Sequence, residues 1–147
     1  MILDTSALVA ILFQEPEAEN FARLILAADV CRLSVVSHLE LAIVLERQAR
    51  PDAARQAEAF LRAASIVVEP VTLQQGSLAR QAYYDFGRGR HRARLNFGDC
   101  FAYALAKAMD EPLLFKGRDF VHTDVRVSLS CCHLPRPRNS GARSPAP

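Results

Sequence analysis

Four carboxylates that are far apart in the chain share one feature: each stands where a strand-like apolar segment gives way to a helix or a turn. They are Asp4, Glu40, Asp99 and Asp119. In an open α/β sheet such junctions gather along one edge, where ligands bind. Carboxylates held close together must bind a cation or lose their charge. The pattern predicts a metal site, and hydrolysis of a phosphodiester is the chemistry it favours.

The types of the ligands indicate which ion this site would take. Carboxylate oxygens without a nearby histidine or cysteine favour Mg²⁺ or Mn²⁺ over zinc. One such ion lowers the pKa of a bound water, and a second can stabilise a leaving oxygen. The sequence leaves open whether one ion or two are bound. Thr5 and Ser6 follow Asp4 directly, and their hydroxyls either orient water or phosphate or are simply first-turn helix residues.

Each acid also has a purely structural explanation. The alternatives are a helix cap at Asp4, capping boxes in Ser37-x-x-Glu40 and Asn96-x-x-Asp99, and a turn at Asp119. Capping accounts for any one of these acids. It does not predict that all four junctions share one edge of one sheet, so the conjunction favours the metal site.

A basic loop precedes the third acid. Residues 87–97 contain no acid, and they hold Arg88, Arg90, Arg92 and Arg94. These guanidinium groups are predicted to contact phosphates at the mouth of the site, and a solvated loop is the alternative. Arg118, which is adjacent to Asp119, is predicted to add a further contact.

Three aromatic residues lie just before this loop. Tyr83, Tyr84 and Phe86 stand at helical spacing, which predicts core side chains rather than a platform for stacking nucleobases. Asp124 follows Thr123 in a predicted turn and is interpreted as mainly structural.

Hydrophobic periodicity predicts the elements that must position these residues. Helices are predicted over 16–28, 37–49, 51–64, 72–86 and 96–109, and strands over 1–3, 30–36, 65–69, 113–115 and, at an edge, 125–129. Alternating strands and helices imply a mainly parallel sheet flanked by helices. The apolar faces of 16–28 and 51–64 are predicted to be core, with a partner surface as the alternative.

Composition predicts one globular domain. Half of the 147 residues are apolar and 23% are charged. The net charge of +2 comes from the C-terminal segment, because residues 134–147 hold three arginines and no acid. The remaining 15 basic and 16 acidic residues give residues 1–133 a net charge of −1. No apolar run reaches the roughly 18 residues of a membrane span, so a cytoplasmic protein is expected. Cys31 and Cys100 are predicted to be buried and reduced.

The chain resembles PIN-domain ribonucleases, and more closely the VapC-type toxins of bacterial type II toxin–antitoxin pairs. The resemblance runs from Met1 to about Leu129. It rests on the segments MILDTSAL, SHLEL, NFGDCFAYALA and PLLFKGRDF. In the last segment Gly117 and Arg118 stand where many relatives carry a second acid or an Asn-Asp pair. Asp119 is therefore the sole acid carried over there, with direct or water-mediated ligation left open.

The resemblance implies a PIN-like three-layer fold over residues 1–130. Composition, not the resemblance, predicts that residues 131–147 form a disordered Pro/Arg-rich tail. The resemblance also implies a Mg²⁺- or Mn²⁺-dependent endoribonuclease that cuts structured RNA, such as tRNA or rRNA, and so inhibits translation. The implied metal ligands are Asp4, Glu40, Asp99 and Asp119. A homodimer and a cognate VapB-type antitoxin, with an arginine directed at the acids, are the implied partners.

Two other interpretations stay open. One is a catalytically silent PIN-fold protein that binds RNA or a partner. The other is a Mg²⁺-dependent phosphoaspartate-type protein, although Asp4 stands alone where that class needs a second acid, and Lys116 is an imperfect match to its lysine.

Overall fold

A computed structural model describes residues 1–48 and 52–128 of the chain. The tail predicted over 131–147, with Cys131 and Cys132, lies outside the described residues. The described elements, in chain order, are β1 (Ile2–Leu3), α1 (Thr5–Leu12), α2 (Ala18–Ala27), β2 (Arg32–Ser34), α3 (Val35–Arg47), α4 (Ala53–Ala63), β3 (Val67–Glu69), α5 (Leu73–Phe86), α6 (Phe97–Met109), β4 (Leu113–Leu114) and a short 3₁₀ helix (Phe120–His122).

The four strands form one parallel sheet in the order β3-β2-β1-β4. The central strand β1 pairs with β2 through Ile2 and Arg32, and with β4 through Ile2 and Leu113. The predicted parallel sheet flanked by helices is therefore confirmed. Because all strands run the same way, their carboxyl ends lie at one edge.

Successive residues of β1 and β4 point to opposite faces of the sheet and build two cores. Leu3 and Leu114 pack into the core beneath α1, α2 and α4. Ile2 and Leu113 pack into the core beneath α5 and α6. The sheet is thus the middle of three layers, as the family resemblance implied.

The apolar faces of α2 and α4 lie in the first of these cores. Phe21 and Ile25 of α2, and Ala57 and Leu61 of α4, are all buried there. The prediction that both faces are core is confirmed. Cys31 and Cys100 are also buried and free, as expected. Within the described ranges, no helix is both long and apolar enough to span a membrane.

Two predicted boundaries are wrong. The strand expected over 30–36 ends at Ser34, whose side chain accepts from Val36 N at 3.3 Å, so helix α3 begins at Val35 instead of near Ser37. The edge strand expected from residue 125 is reduced, as far as the described residues reach, to one bridge between Val127 and Leu113. Both segments have the residue pattern of a strand. In the first, the cap at Ser34 starts the helix early, and in the second only Val127, of the residues described, pairs with β4.

Candidate active site

The carboxyl edge of the sheet positions three of the four predicted acids. Asp4 follows β1 directly, and its backbone N–H donates to Leu114 O of β4 at 2.9 Å. Helix α3 leaves the end of β2 and carries Glu40 in its second turn. Asp119 follows β4 in a turn. Asp99 comes from the first turn of α6, which packs against β1 and β2.

Asp4 caps α1 and is almost fully buried, with 3% of its surface exposed. Its Oδ2 accepts from Ser6 N at 2.9 Å and from Ser6 Oγ at 2.5 Å. Its Oδ1 is buried without a hydrogen-bond partner among the described residues. Burial raises the pKa of Asp4, hydrogen bonds from Ser6 lower it, and the charge of Glu40 raises it again. A buried, unpartnered carboxylate oxygen is the kind of atom a cation would complete.

The hydroxyls of Ser6 and Thr5 hold the acids in place. Ser6 Oγ donates to Asp4 and accepts from Lys116 N at 2.9 Å, so it links the ends of β1 and β4. Thr5 Oγ1 lies 2.7 Å from Glu40 Oε2 and 3.2 Å from Ser37 O, and its one proton is closest to the carboxylate. Both hydroxyls therefore contact protein oxygens, and their role in orienting water or phosphate stays a prediction.

The pKa of Asp99 shows that the four acids act on one another's surroundings. The capping box with Asn96 is present as predicted: Asn96 N donates to Asp99 Oδ2 at 2.7 Å, and Asp99 N donates to Asn96 Oδ1 at 2.9 Å. The pKa of Asp99 is nevertheless raised to about 7, chiefly by burial, then by the charge of Asp4, with smaller contributions from Glu40 and Asp119. All three other acids thus act on Asp99, so the four form one electrostatic cluster.

Glu40 does not belong to a capping box with Ser37, contrary to the structural alternative. Ser37 lies inside α3, and its buried Oγ has no partner among the described residues. Glu40 instead faces α6 at Gly98, where an added Cβ would lie 2.5 Å from Oε2. Gly98 is the residue that sequence reasoning missed: its lack of a side chain admits the Glu40 carboxylate next to Asp99.

We predict that Gly98→Ala impairs the site without unfolding the chain. The methyl group would displace the Glu40 carboxylate, which Thr5 holds, and the expected loss in kcat/KM is about 10- to 100-fold. Alanine itself is favoured over glycine within a helix by about 1 kcal/mol, so we expect the thermal stability of the variant to stay close to that of wild type. Gly76→Ala in α5, where an added Cβ meets nothing within 4 Å, is the matched stability control. Unchanged kcat/KM would show that Glu40 needs no such space.

An open cavity of about 280 Å³ brings acids and arginines together. Its lining consists of Arg88, Arg94, Asn96, Asp99 and Asp119. Two of the loop arginines predicted to bind phosphate therefore lie beside two of the predicted acids.

Asp119 precedes the 3₁₀ helix, and within the described part of the chain its side chain makes no capping hydrogen bond. The preceding Gly117 has a φ of +108°, which favours glycine. A glycine at position 117 thus suits the shape of this turn.

The remaining basic residues divide between two places. Arg92, Arg118 and His91 lie near enough to His122 to lower its pKa, after a larger contribution from desolvation, while Asp119 raises it. Arg92 and Arg118 therefore lie near Asp119, around His122. Arg90 instead lies over the rings of Tyr83 and Tyr84, 5.8 Å and 5.4 Å from their centroids.

The prediction that Tyr83 and Tyr84 are core side chains is wrong, since both are exposed. Phe86 does pack against the second core. Helical spacing locates a face of a helix but does not tell whether another element covers it. Asp124 accepts from Tyr103 Oη at 2.6 Å and from Lys107 Nζ at 3.0 Å, which agrees with a structural role.

The four acids are not arranged around a common metal position. Across residues 1–48 and 52–128, no three acidic, histidine or cysteine side chains are arranged as a ready-made metal site. The donor set still fits a hard divalent cation, because the charges of Asp4, Glu40 and Asp119 all raise the pKa of Asp99, and Asp4 Oδ1 is buried unpartnered.

Comparison with known proteins identifies the class to which this fold and site belong. The family model for the PIN domain matches residues 1–126, so the chain is a PIN-domain protein. Within that family it belongs with the VapC ribonucleases. It is 53% identical to ribonuclease VapC28 of Mycobacterium tuberculosis over 130 residues, covering 88% of this chain and 98% of that protein. It is 48% identical to ribonuclease VapC of Mycolicibacterium smegmatis, covering 85% and 97%.

Solved structures share the fold. Mycobacterium tuberculosis VapC20, described as a toxin that cleaves the sarcin–ricin loop, superposes with a TM-score of 0.64 at 24% identity, covering 85% of this chain and 98% of that one. A VapBC-5 complex from the same organism gives 0.58 at 24% identity, covering 86% and 97%. The three-layer architecture is therefore that of VapC toxins.

Proposed function

We propose that this chain is a Mg²⁺- or Mn²⁺-dependent endoribonuclease and the toxin of a toxin–antitoxin pair, and that it inhibits translation by cutting RNA. One observation carries the proposal: Asp4, Glu40 and Asp119 all raise the pKa of Asp99, which lies in a cavity that also holds two arginines. Acids that repel one another are kept in a fold when a cation uses them. Membership of the VapC ribonucleases supports RNA as the substrate.

In this proposal the residues of the chain hold the ion and orient the RNA phosphate. Asp4 Oδ1, Glu40, Asp99 and Asp119 would hold the ion, while Ser6 and Thr5 fix the rotamers of Asp4 and Glu40. A bound divalent ion supplies a water of lowered pKa and neutralises charge on the phosphate. Arg88 and Arg94 bind the phosphodiester at the mouth of the cavity, with Arg92 and Arg118 nearby.

The partners follow from the same surface. A cognate VapB-type antitoxin is supported by the VapBC complexes among similar folds, and an arginine from it would complement the acid cluster. A homodimer is supported by an apolar stripe on α3, where Val35, Leu39 and Ile43 are all exposed at helical spacing. Structured tRNA or rRNA, present in the cytoplasm, is the substrate class we propose.

The phosphoaspartate alternative is disfavoured by the ion pairs of its candidate lysine. Lys116 Nζ pairs with Glu15 at 2.5 Å and Glu17 at 3.1 Å, away from an acyl phosphate.

Cleavage of total bacterial RNA by the purified chain tests the proposed function. Wild type with Mn²⁺ or Mg²⁺ should release discrete fragments. Arg88→Gln combined with Arg94→Gln should bind the same RNA more weakly, and the slope of log affinity against log salt should fall by about 1.4, the contribution of two phosphate contacts on single-stranded RNA. Folded protein that binds RNA but releases no fragment would favour the catalytically silent alternative.

The matched control replaces two exposed arginines outside the cavity, Arg23 and Arg55, by Gln. Because it removes the same net charge, it separates a local phosphate contact from the overall field. Equal salt slopes in the two double variants would contradict the assignment of Arg88 and Arg94.

A further inference from the structure

An open groove of about 680 Å³ lies next to the acid cavity, on the face formed by α5 and the first turns of α6. Its aromatic and basic lining comprises Arg80, Tyr83, Tyr84, Arg90, Phe97 and Phe101. Phe97 is 72% exposed and Tyr84 is 53% exposed. Large aromatic side chains are rarely left in water on this scale without a ligand or partner to cover them.

The charge of the groove favours a particular occupant. It contains two arginines, and no acid is found among the described residues that line it. The guanidinium group of Arg90 lies over the rings of Tyr83 and Tyr84, so positive charge and flat π surfaces are presented together. An anionic ligand that carries an aromatic ring matches both properties.

The groove and the acid cavity are lined by residues that are neighbours in the chain. Phe97 and Cys100 line the groove, and their chain neighbours Asn96 and Asp99 line the acid cavity. The loop that supplies Arg90 to the groove also supplies Arg88 and Arg94 to the cavity. A ligand with a phosphate in the cavity would therefore place its neighbouring group at the aromatic groove.

We propose that this groove binds an unpaired nucleobase of the RNA that flanks the phosphate to be cut. The inference rests on the proposed ribonuclease function and adds to it a base-stacking subsite. Unstacked bases in single-stranded loops are recognised by stacking on aromatic rings and on arginine planes. The same groove would then set which looped RNA positions the chain cuts.

A second copy of the chain is the competing occupant, since exposed aromatic residues also occur at protein interfaces. The charge disfavours it: self-association through a two-fold axis would bring Arg80 and Arg90 of both copies together without a compensating acid from the groove. Self-association is therefore an outcome of the test.

The test uses RNA oligonucleotides that span a cleavage site mapped in total RNA, with an abasic residue at each position beside the cut. For wild type, one abasic position should weaken binding about 5- to 160-fold, the range for loss of one stacked base. Tyr84→Leu combined with Phe97→Leu removes the π faces and keeps apolar bulk. It should bind the intact RNA as weakly as the abasic one and make no further distinction between them.

Intrinsic fluorescence gives a second readout that needs no cleavage. The chain has no tryptophan, and two of its three tyrosines line the groove. A short oligouridylate should quench tyrosine emission in wild type, and Leu26→Ala, an exposed apolar substitution on α2, should leave the quenching unchanged. Sedimentation of each variant reports the oligomeric state.

The outcomes separate the two proposals. Absence of any RNA cleavage by wild type counts against the proposed function. If wild type and the Tyr84/Phe97 variant distinguish intact from abasic RNA to the same extent, the stacking subsite is overturned and the proposed function is not. Dissociation of a dimer by that variant, with unchanged base discrimination, assigns the groove to self-association and also overturns the stacking subsite.

Discussion

Asp99→Asn is expected to lower RNA cleavage by at least about 100-fold, the loss typical of removing one preorganised electrostatic group. The amide keeps the volume and the oxygen that accepts from Asn96 N, so the capping box can persist. It removes the charge that the other three acids oppose. The assay is single-turnover cleavage of the mapped RNA with Mn²⁺.

The same variant should be more stable than wild type when no divalent ion is present. The pKa of Asp99 in the folded chain, about 7, lies above the ordinary value of 3.8. Between these values the unfolded chain releases its proton first, so the free energy of unfolding of wild type falls as pH rises and stays low above 7. The Asp99→Asn variant escapes this penalty, and each tenfold difference in proton affinity between the two states corresponds to about 1.4 kcal/mol.

Urea denaturation in EDTA at pH 4 and pH 8 measures this effect. The two proteins should differ little at pH 4 and diverge at pH 8, with the variant the more stable. A variant that loses both activity and stability at pH 8 would show that Asp99 supports the fold rather than a site.

Divalent-ion affinity is the second large effect, and it should depend steeply on pH. An ion and a proton compete for the Asp99 carboxylate, so apparent affinity for Mn²⁺ should rise by up to about tenfold per pH unit below 7 and level off above it. At 100 times Kd, the ion should stabilise the chain by about 2.7 kcal/mol. Calorimetric titration and thermal unfolding at pH 6, 7 and 8 measure both quantities.

Asp4→Asn is the control for this titration. It removes a ligand charge beside the unpartnered Oδ1, so Mn²⁺ should neither bind tightly nor raise Tm. Asp85→Asn, an exposed acid of α5 that contacts Gln81, should behave as wild type. An affinity that is independent of pH in wild type would contradict a site built on Asp99.

The sequence predicts the acid cluster well because its placement depends on local signals. Asn96-x-x-Asp99 is a capping box with a short range, and it occurs as predicted. Asp4 ends β1 and caps α1, which one strand–helix junction determines. Parallel strands then bring Asp4 and Asp119 to one edge by topology alone.

Contacts between distant segments could not be predicted in this way. Ser34 and Ser37 are both acceptable caps for α3, and the helix begins after Ser34. The hydrogen bond from Thr5 to Glu40 joins residues 35 positions apart, and the fit of Glu40 against Gly98 requires the crossing of α3 and α6. Tyr83 and Tyr84 lie on a helix as predicted, but among the described residues no other element covers their side chains.

The most direct test of the carboxylate site compares RNA cleavage by wild type and Asp4→Asn with EDTA, Mg²⁺ or Mn²⁺, at pH 8 and equal protein concentration. We predict discrete fragments from wild type only when a divalent ion is present, and none from the variant under any condition, although both proteins are folded. Cleavage by wild type in EDTA, or ion-dependent cleavage by Asp4→Asn at the wild-type rate, would contradict a divalent-ion site built on these carboxylates.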